Sequence, residues 1–243
     1  MYNNISPLEF NTFLVLTVIL IITKLGVILY LGFKIYQRKK EKDKFTFGFI
    51  FSVFIMMICL FLSRVLFFIF DFYLTELDPT RYFLSPNVYF WKVAVLIMAF
   101  GYACVLFVID KRIIDFKFKG ILAYIVIIAS LIMFFYPVNS QEGFEFMSIF
   151  LFFINIIAVA IPILFLYIGT RAVKYRRPAI ILALGVIIYA IGANILNEAV
   201  VAALEELIIG IRFYLYFITL LLKMAGIILY SYGVTEFTMI FSG

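Results

Sequence analysis

Seven apolar stretches, each long enough to cross a bilayer, occupy most of this 243-residue chain, and the basic residues between them fall on alternate sides. Hydrocarbon offers no water to hydrogen-bond a bare peptide group, so such a segment must close its backbone bonds within itself, as a helix. The connecting loops are too short to hold a separate soluble domain. Any activity therefore lies within the helices or at their faces.

Runs of about 20 apolar residues predict helices near 10–35, 46–74, 86–109, 119–137, 145–170, 178–204 and 207–234. The expected fold is an all-α integral membrane protein, one seven-transmembrane-helix bundle over residues 1–243. Ser6-Pro7 with Glu9 reads as a capping box before the first helix, Ser85-Pro86 as an N-cap and N1 proline before the third, and Pro178 as the opening of the sixth. Pro162 falls inside the fifth span, where it removes one backbone hydrogen bond and predicts a kink. The first stretch lacks a basic leader and a small-residue cleavage site, and it ends in a basic flank, so it is expected to be retained.

Orientation follows from the basic residues of the short loops. Lys34, Arg38, Lys39, Lys40, Lys42 and Lys44 follow the first span; Lys111, Arg112, Lys117 and Lys119 the third; Arg171, Lys174, Arg176 and Arg177 the fifth. The other side has Arg81 and Arg212 against Glu9, Glu76, Asp78, Glu142, Glu145, Glu205 and Glu206. This places the N-terminus outside and the C-terminus in the cytoplasm. It also assigns Arg38, Lys39, Lys40, Arg176 and Arg177 to a cytoplasmic basic face suited to anionic lipid headgroups or an acidic protein partner. The net charge of +6, in a chain 66% hydrophobic and only 14% charged, is accounted for by those loops, so nucleic acid is not an expected partner.

Inside the spans remain Lys24, Arg64, Asp71, Lys92, Glu198 and Lys223. A charge at a helix centre costs about 2.5–3.5 kcal/mol on insertion scales, which turns such residues toward the interior. Arg64 and Asp71 share a helix face, as do Asn194 and Glu198. With Lys92 at similar depth, Arg64, Asp71, Lys92, Asn194 and Glu198 form either a satisfied packing network or an outward cavity for an anionic or amphipathic ligand. Lys24 lies at mid-membrane depth, and the last helix carries Tyr216, Thr219, Lys223 and Tyr230 as a polar stripe expected to face inward.

The chain contains no histidine, which removes imidazole-ligated zinc, serine–histidine hydrolysis and haem ligation by imidazole. No nucleotide-binding glycine pattern is present. Cys59 and Cys104 lie in apolar stretches, as packing thiols do. Neither an enzyme nor a metal site is expected. The run Lys223-Met224-Ala225-Gly226-Ile227-Ile228-Leu229 is similar to the last helix of the microbial rhodopsins, but the third predicted helix offers no embedded carboxylate as counter-ion and the sixth no Trp, so no cofactor is expected.

Seven helices, an exterior N-terminus, an interior C-terminus and minimal loops resemble the seven-transmembrane sensor regions that precede histidine kinase or cyclase domains in prokaryotes. About ten residues follow the last span, ending Thr238-Met239-Ile240-Phe241-Ser242-Gly243, so signalling is expected to pass to a separate cytoplasmic partner. The resemblance implies a sensor or receptor-like protein of the cell membrane. A non-catalytic membrane subunit or scaffold is the alternative, and a small-solute or ion transporter the third reading.

Overall fold

The structure, a computed structural model, describes residues 6–42, 48–195, 204, 207, 208 and 210–241. Every regular element among them is helical: α1 Pro7–Lys42, α2 Phe49–Phe68 continued by a π-helical segment Ile69–Leu74, α3 Asn87–Ile113, α4 Ile121–Phe135, α5 Gln141–Ala158, α6 Ala160–Arg171, α7 Arg176–Asn194 and α8 Ile211–Phe241. Five stretches among the described residues are long and apolar enough to cross a membrane: Pro7–Lys40, Phe49–Leu74, Asn87–Ile113, Val173–Asn194 and Phe213–Ile240. The fourth and fifth expected spans take another form. At 1.5 Å per residue α4 is only about 22 Å long, short of a hydrocarbon core of about 30 Å. The fifth is interrupted at Val159 between α5 and α6, three residues before Pro162, whose ring nitrogen has no hydrogen to offer the preceding turn.

Local chemistry sets the helix starts. At α1 the capping box forms: Ser6 Oγ accepts from the Glu9 backbone N–H at 3.2 Å, and Glu9 Oε2 accepts from the Ser6 N–H at 2.9 Å and its hydroxyl at 2.7 Å. Ser85 does not cap α3. Pro86 takes the N-cap position without a side-chain bond, α3 starts at Asn87, and Asn87 Nδ2 donates to the Arg81 carbonyl at 2.9 Å. Helix α7 starts at Arg176, which leaves Pro178 in the first turn, where its missing N–H costs nothing.

The chain divides into two compact units, one of Ile28–Ala158 and one of Asn3–Val27 with Val159–Gly243. In the unit of Ile28–Ala158, α2 and α3 run antiparallel, with Phe67 near Trp91 and Met56 and Cys59 at Gly101. A Cβ on Gly101 would lie 2.8 Å from Cys59 Cβ and 3.2 Å from Met56 Cα, so glycine sets that approach. Val53, Met57, Ala94, Val95, Ala99, Val126 and Met147 fill the core. The opposite face of α4 exposes Ile121, Ile125, Ile128, Ile132 and Phe135, a stripe at helical spacing that only an apolar surrounding solvates.

In the other unit α7 and α8 meet backbone to backbone and antiparallel. A Cβ on Gly226 would lie 2.6 Å from Tyr189 N and 2.8 Å from Gly185 O; one on Gly192, 3.0 Å from Thr219 O; one on Gly233, 2.7 Å from Leu182 N. The glycines recur seven residues apart on each helix: Gly185 meets Gly226 and Tyr230, Gly192 meets Thr219 and Leu222, and Gly233 meets Leu182, so at each of these points a missing side chain lets the other helix's backbone approach. Without water between apolar helices, this closeness is what lets dispersion and backbone dipoles hold the pair. Gly226→Leu must push backbone apart and is expected to lower stability by about 1–3 kcal/mol or more. Gly26→Ala, where a Cβ meets nothing within 4 Å, is expected not to destabilise. Thermal unfolding in mild detergent measures both.

Candidate functional site

Helix α3 carries a charge near each end, and both are spent on α4. Lys92, 6% exposed, donates from Nζ to the Tyr136 carbonyl at 2.6 Å, and Tyr136 is the C-cap of α4. Asp110, 3% exposed, accepts the Phe118 N–H on Oδ1 at 2.9 Å and the Gly120 N–H on Oδ2 at 2.6 Å; Gly120 is the N-cap of α4. An anion therefore lies at the helix end with partial positive charge and a cation at the end with partial negative charge. Tyr89, one turn before Lys92, places its ring 5.8 Å from the ammonium. The third expected helix, 86–109, stops one residue short of Asp110; α3 runs on to Ile113 and takes this carboxylate into its last turn.

Arg64 and Asp71 meet as their spacing predicts, with Nη1 3.7 Å from Oδ2. The π-helical segment starts between them. At its end the cap residue Thr75 donates its N–H and hydroxyl to the Phe70 carbonyl at 3.0 and 2.8 Å, which closes the widened turn. A train of rings runs beside it: Phe67 to Trp91 at 6.4 Å, Trp91 to Phe144 at 5.1 Å, Phe144 to Tyr82 at 5.6 Å and Tyr82 to Phe70 at 5.2 Å. The next loop is held by Arg81, which reaches Glu76 at 3.1 Å and Asp78 at 3.5 Å.

Of the predicted cluster, the structure thus joins Arg64 with Asp71 and commits Lys92 to α4. Asn194 belongs to the other unit, where its Nδ2 donates to the Ala190 carbonyl of its own helix at 2.8 Å. Glu198 lies outside the described residues. In that same unit the polar stripe of α8 is partly buried as expected. Thr219 and Tyr230 are buried, Lys223 is half-buried, and Tyr216 Oη lies 3.1 Å from Thr17 Oγ1 of α1. Phe13 stacks on Tyr216 at 4.0 Å, and Lys24 is buried on α1. The hydroxyls of Thr219 and Tyr230 make no hydrogen bond among the described residues. Of the basic face, Lys39, Lys40, Arg176 and Arg177 are exposed and Arg38 is half-buried.

Among the described residues no three acidic or thiol side chains gather where a metal could bind. Comparison with protein-family models, with curated proteins and with solved structures finds no match. In the sequence Asp110 gives one signal only, a lone acid ahead of Lys111-Arg112.

Lys92→Met takes the partner from the part-buried Tyr136 carbonyl and is expected to cost about 1–3 kcal/mol. Lys111→Met, at an exposed position, is expected to change stability little. Tyr230→Phe removes an unsatisfied buried hydroxyl and is expected to leave thermal stability equal or higher. The loop has a pH response of its own. Hydrogen bonds from the Thr80 hydroxyl and backbone N–H, with Arg81 adding attraction, hold the Asp78 carboxyl below its ordinary value. The support this gives is complete above the ordinary carboxylate pKa of about 3.9 and is lost as pH falls through the lowered folded value. Amide exchange at Thr80 is expected to lose protection in that window.

Proposed function

We propose that the protein is a non-catalytic, multi-pass component of the cell membrane, crossing it seven times with its N-terminus outside and its C-terminus in the cytoplasm, and serving as a membrane subunit or scaffold. In this reading α4 and the α5–α6 stretch count as the fourth and fifth spans, the short α4 crossing with the help of its clamped ends. The observation that carries the reading is the use of Lys92 and Asp110. The buried charges of α3 hold a neighbouring helix, which is what a packing role requires and what a ligand cavity would forgo. The absence of histidine supports the non-catalytic part. The sides of the helices, covered with exposed apolar residues such as Leu29, Ile128, Ile163 and Leu221, suit lipid or the helices of another membrane protein.

A sensor or receptor-like role, passing its signal to a separate cytoplasmic partner, draws on a different observation. Arg64 and Asp71 are separated by 3.7 Å and both remain partly exposed, beside a π-helical segment, a feature frequent where helices bind or move. A ligand carboxylate competing with Asp71 for the guanidinium would have a local element to shift.

Two measurements test these readings. Single cysteines at Lys40 and Lys117 are expected to react with an impermeant thiol reagent only from the cytoplasmic side, and one at Glu142 only from outside; labelling of all three from one side overturns the seven-span topology. Purification in mild detergent with mass analysis is expected to show a stoichiometric second protein chain. A monomer retaining a small anionic amphiphile, lost in Arg64→Gln, overturns the subunit reading in favour of the receptor.

A further inference from the structure

The loop from α3 to α4 has a composition and a geometry that neither its length nor its connecting role demands. Its sequence is Asp115-Phe116-Lys117-Phe118-Lys119-Gly120, rings alternating with cations, and Lys111 and Arg112 precede it. All four cations are exposed, and Phe116 and Phe118 keep 41% and 43% of their surfaces open. Two aromatic side chains left outward on a turn are costly in water unless something covers them.

The backbone that presents them is fixed. Asp115, Phe116, Lys119 and Gly120 all have φ between +49° and +76°, a region that non-glycine residues enter only when the surroundings demand it. Each backbone N–H from Phe116 to Ile121 has an acceptor: the Asp110 carbonyl for Phe116, Ile114 O for Lys117, Asp110 Oδ1 for Phe118, Phe116 O for Lys119, Asp110 Oδ2 for Gly120 and Phe118 O for Ile121. The Phe116 ring rests edge-on against Phe107 of α3 at 6.0 Å. With the backbone donors spent, a partner meets only ammonium groups and rings, held in one arrangement.

We propose that this loop is a docking site for the headgroups of anionic phospholipids, with Lys117, Lys119, Lys111 and Arg112 taking the phosphate charge and Phe116 and Phe118 entering the boundary with the acyl chains. The occupant follows from charge and from continuity. Four cations against the single exposed acid Asp115 call for an anion, and the exposed apolar stripe of α4 starts at Ile121, one residue beyond Gly120. A phospholipid is the anion that carries its own apolar surface to that stripe. Aromatic residues and lysines are the side chains favoured at a membrane–water boundary. The inference rests on the membrane-spanning reading above, and it adds to it a lipid class and a binding loop.

The test uses the full chain in an uncharged detergent with equal amounts of phosphatidylglycerol and phosphatidylcholine, and native mass spectrometry counts the lipids retained. Wild type is expected to retain phosphatidylglycerol preferentially, and Lys117→Gln with Lys119→Gln to weaken that by about fivefold per lysine. Asp110→Asn separates a shaped site from plain charge. It makes the loop more positive, so attraction by charge alone predicts tighter binding, whereas a site depending on the Asp110 hydrogen bonds predicts weaker. Equal retention of the two lipids, or a preference untouched in the double lysine variant, overturns the inference and leaves the loop to an acidic protein segment. Recovery of each variant in the membrane fraction, released by detergent and not by salt or alkali, checks the spanning reading separately.

Discussion

The placement of one short helix depends on two charges borne by its neighbour. The peptide dipoles of α4 leave partial positive charge at Gly120 and partial negative charge at Tyr136, and α3 supplies Asp110 to the first and Lys92 to the second. The Asp110 bond is buried and the Lys92 bond partly so, and away from water a matched pair is strengthened and an unmatched group made expensive. The match also fixes direction, since a parallel α4 would set the carboxylate against carbonyls and the ammonium against N–H groups. Lys92 follows Trp91, whose ring joins those of Phe67 and Phe144, so the turn of α3 that holds α4 also reaches α2 and α5.

The two units are packed by different means. In the unit of Ile28–Ala158, charges and rings do much of the positioning, with one glycine, Gly101, setting the approach of α2 to α3. In the unit containing α7 and α8, the glycines at seven-residue spacing bring backbones together, and buried hydroxyls such as those of Ser231 and Thr238 bond to carbonyls within their own helix. Apolar helices in an apolar surrounding gain nothing from excluding water between them, so they associate through close packing or through polar groups. Each unit leans on one of these.

Features governed by neighbours in the chain could be read from the sequence. The capping box of Ser6 and Glu9 needs only a three-residue spacing, and Arg64 with Asp71 only a shared helix face. Pro162 announces the interruption near Val159 because its missing N–H acts within one turn. What could not be read required a distant partner. Lys92 looked like one cation of a ligand cluster, since nothing in the sequence places the Tyr136 carbonyl, 44 residues away, beside it. The glycines of α7 and α8 are visible as repeats of seven, but their meaning depends on the two helices meeting at those faces. The fourth expected span, 119–137, is trimmed at its start because Asp110, from another helix, holds the Phe118 and Gly120 N–H groups in a turn.

That this chain is built of apolar helices joined by short loops could be read residue by residue, because the cost of leaving a peptide group or a charge in hydrocarbon is local and is summed along the chain. What the buried charges are for depends on how the helices come together. An ammonium or a carboxylate in such a place must have a partner, but which one is settled by the approach of helices whose contacts lie tens of residues apart. For Lys92 and Asp110 that approach gave the two ends of α4.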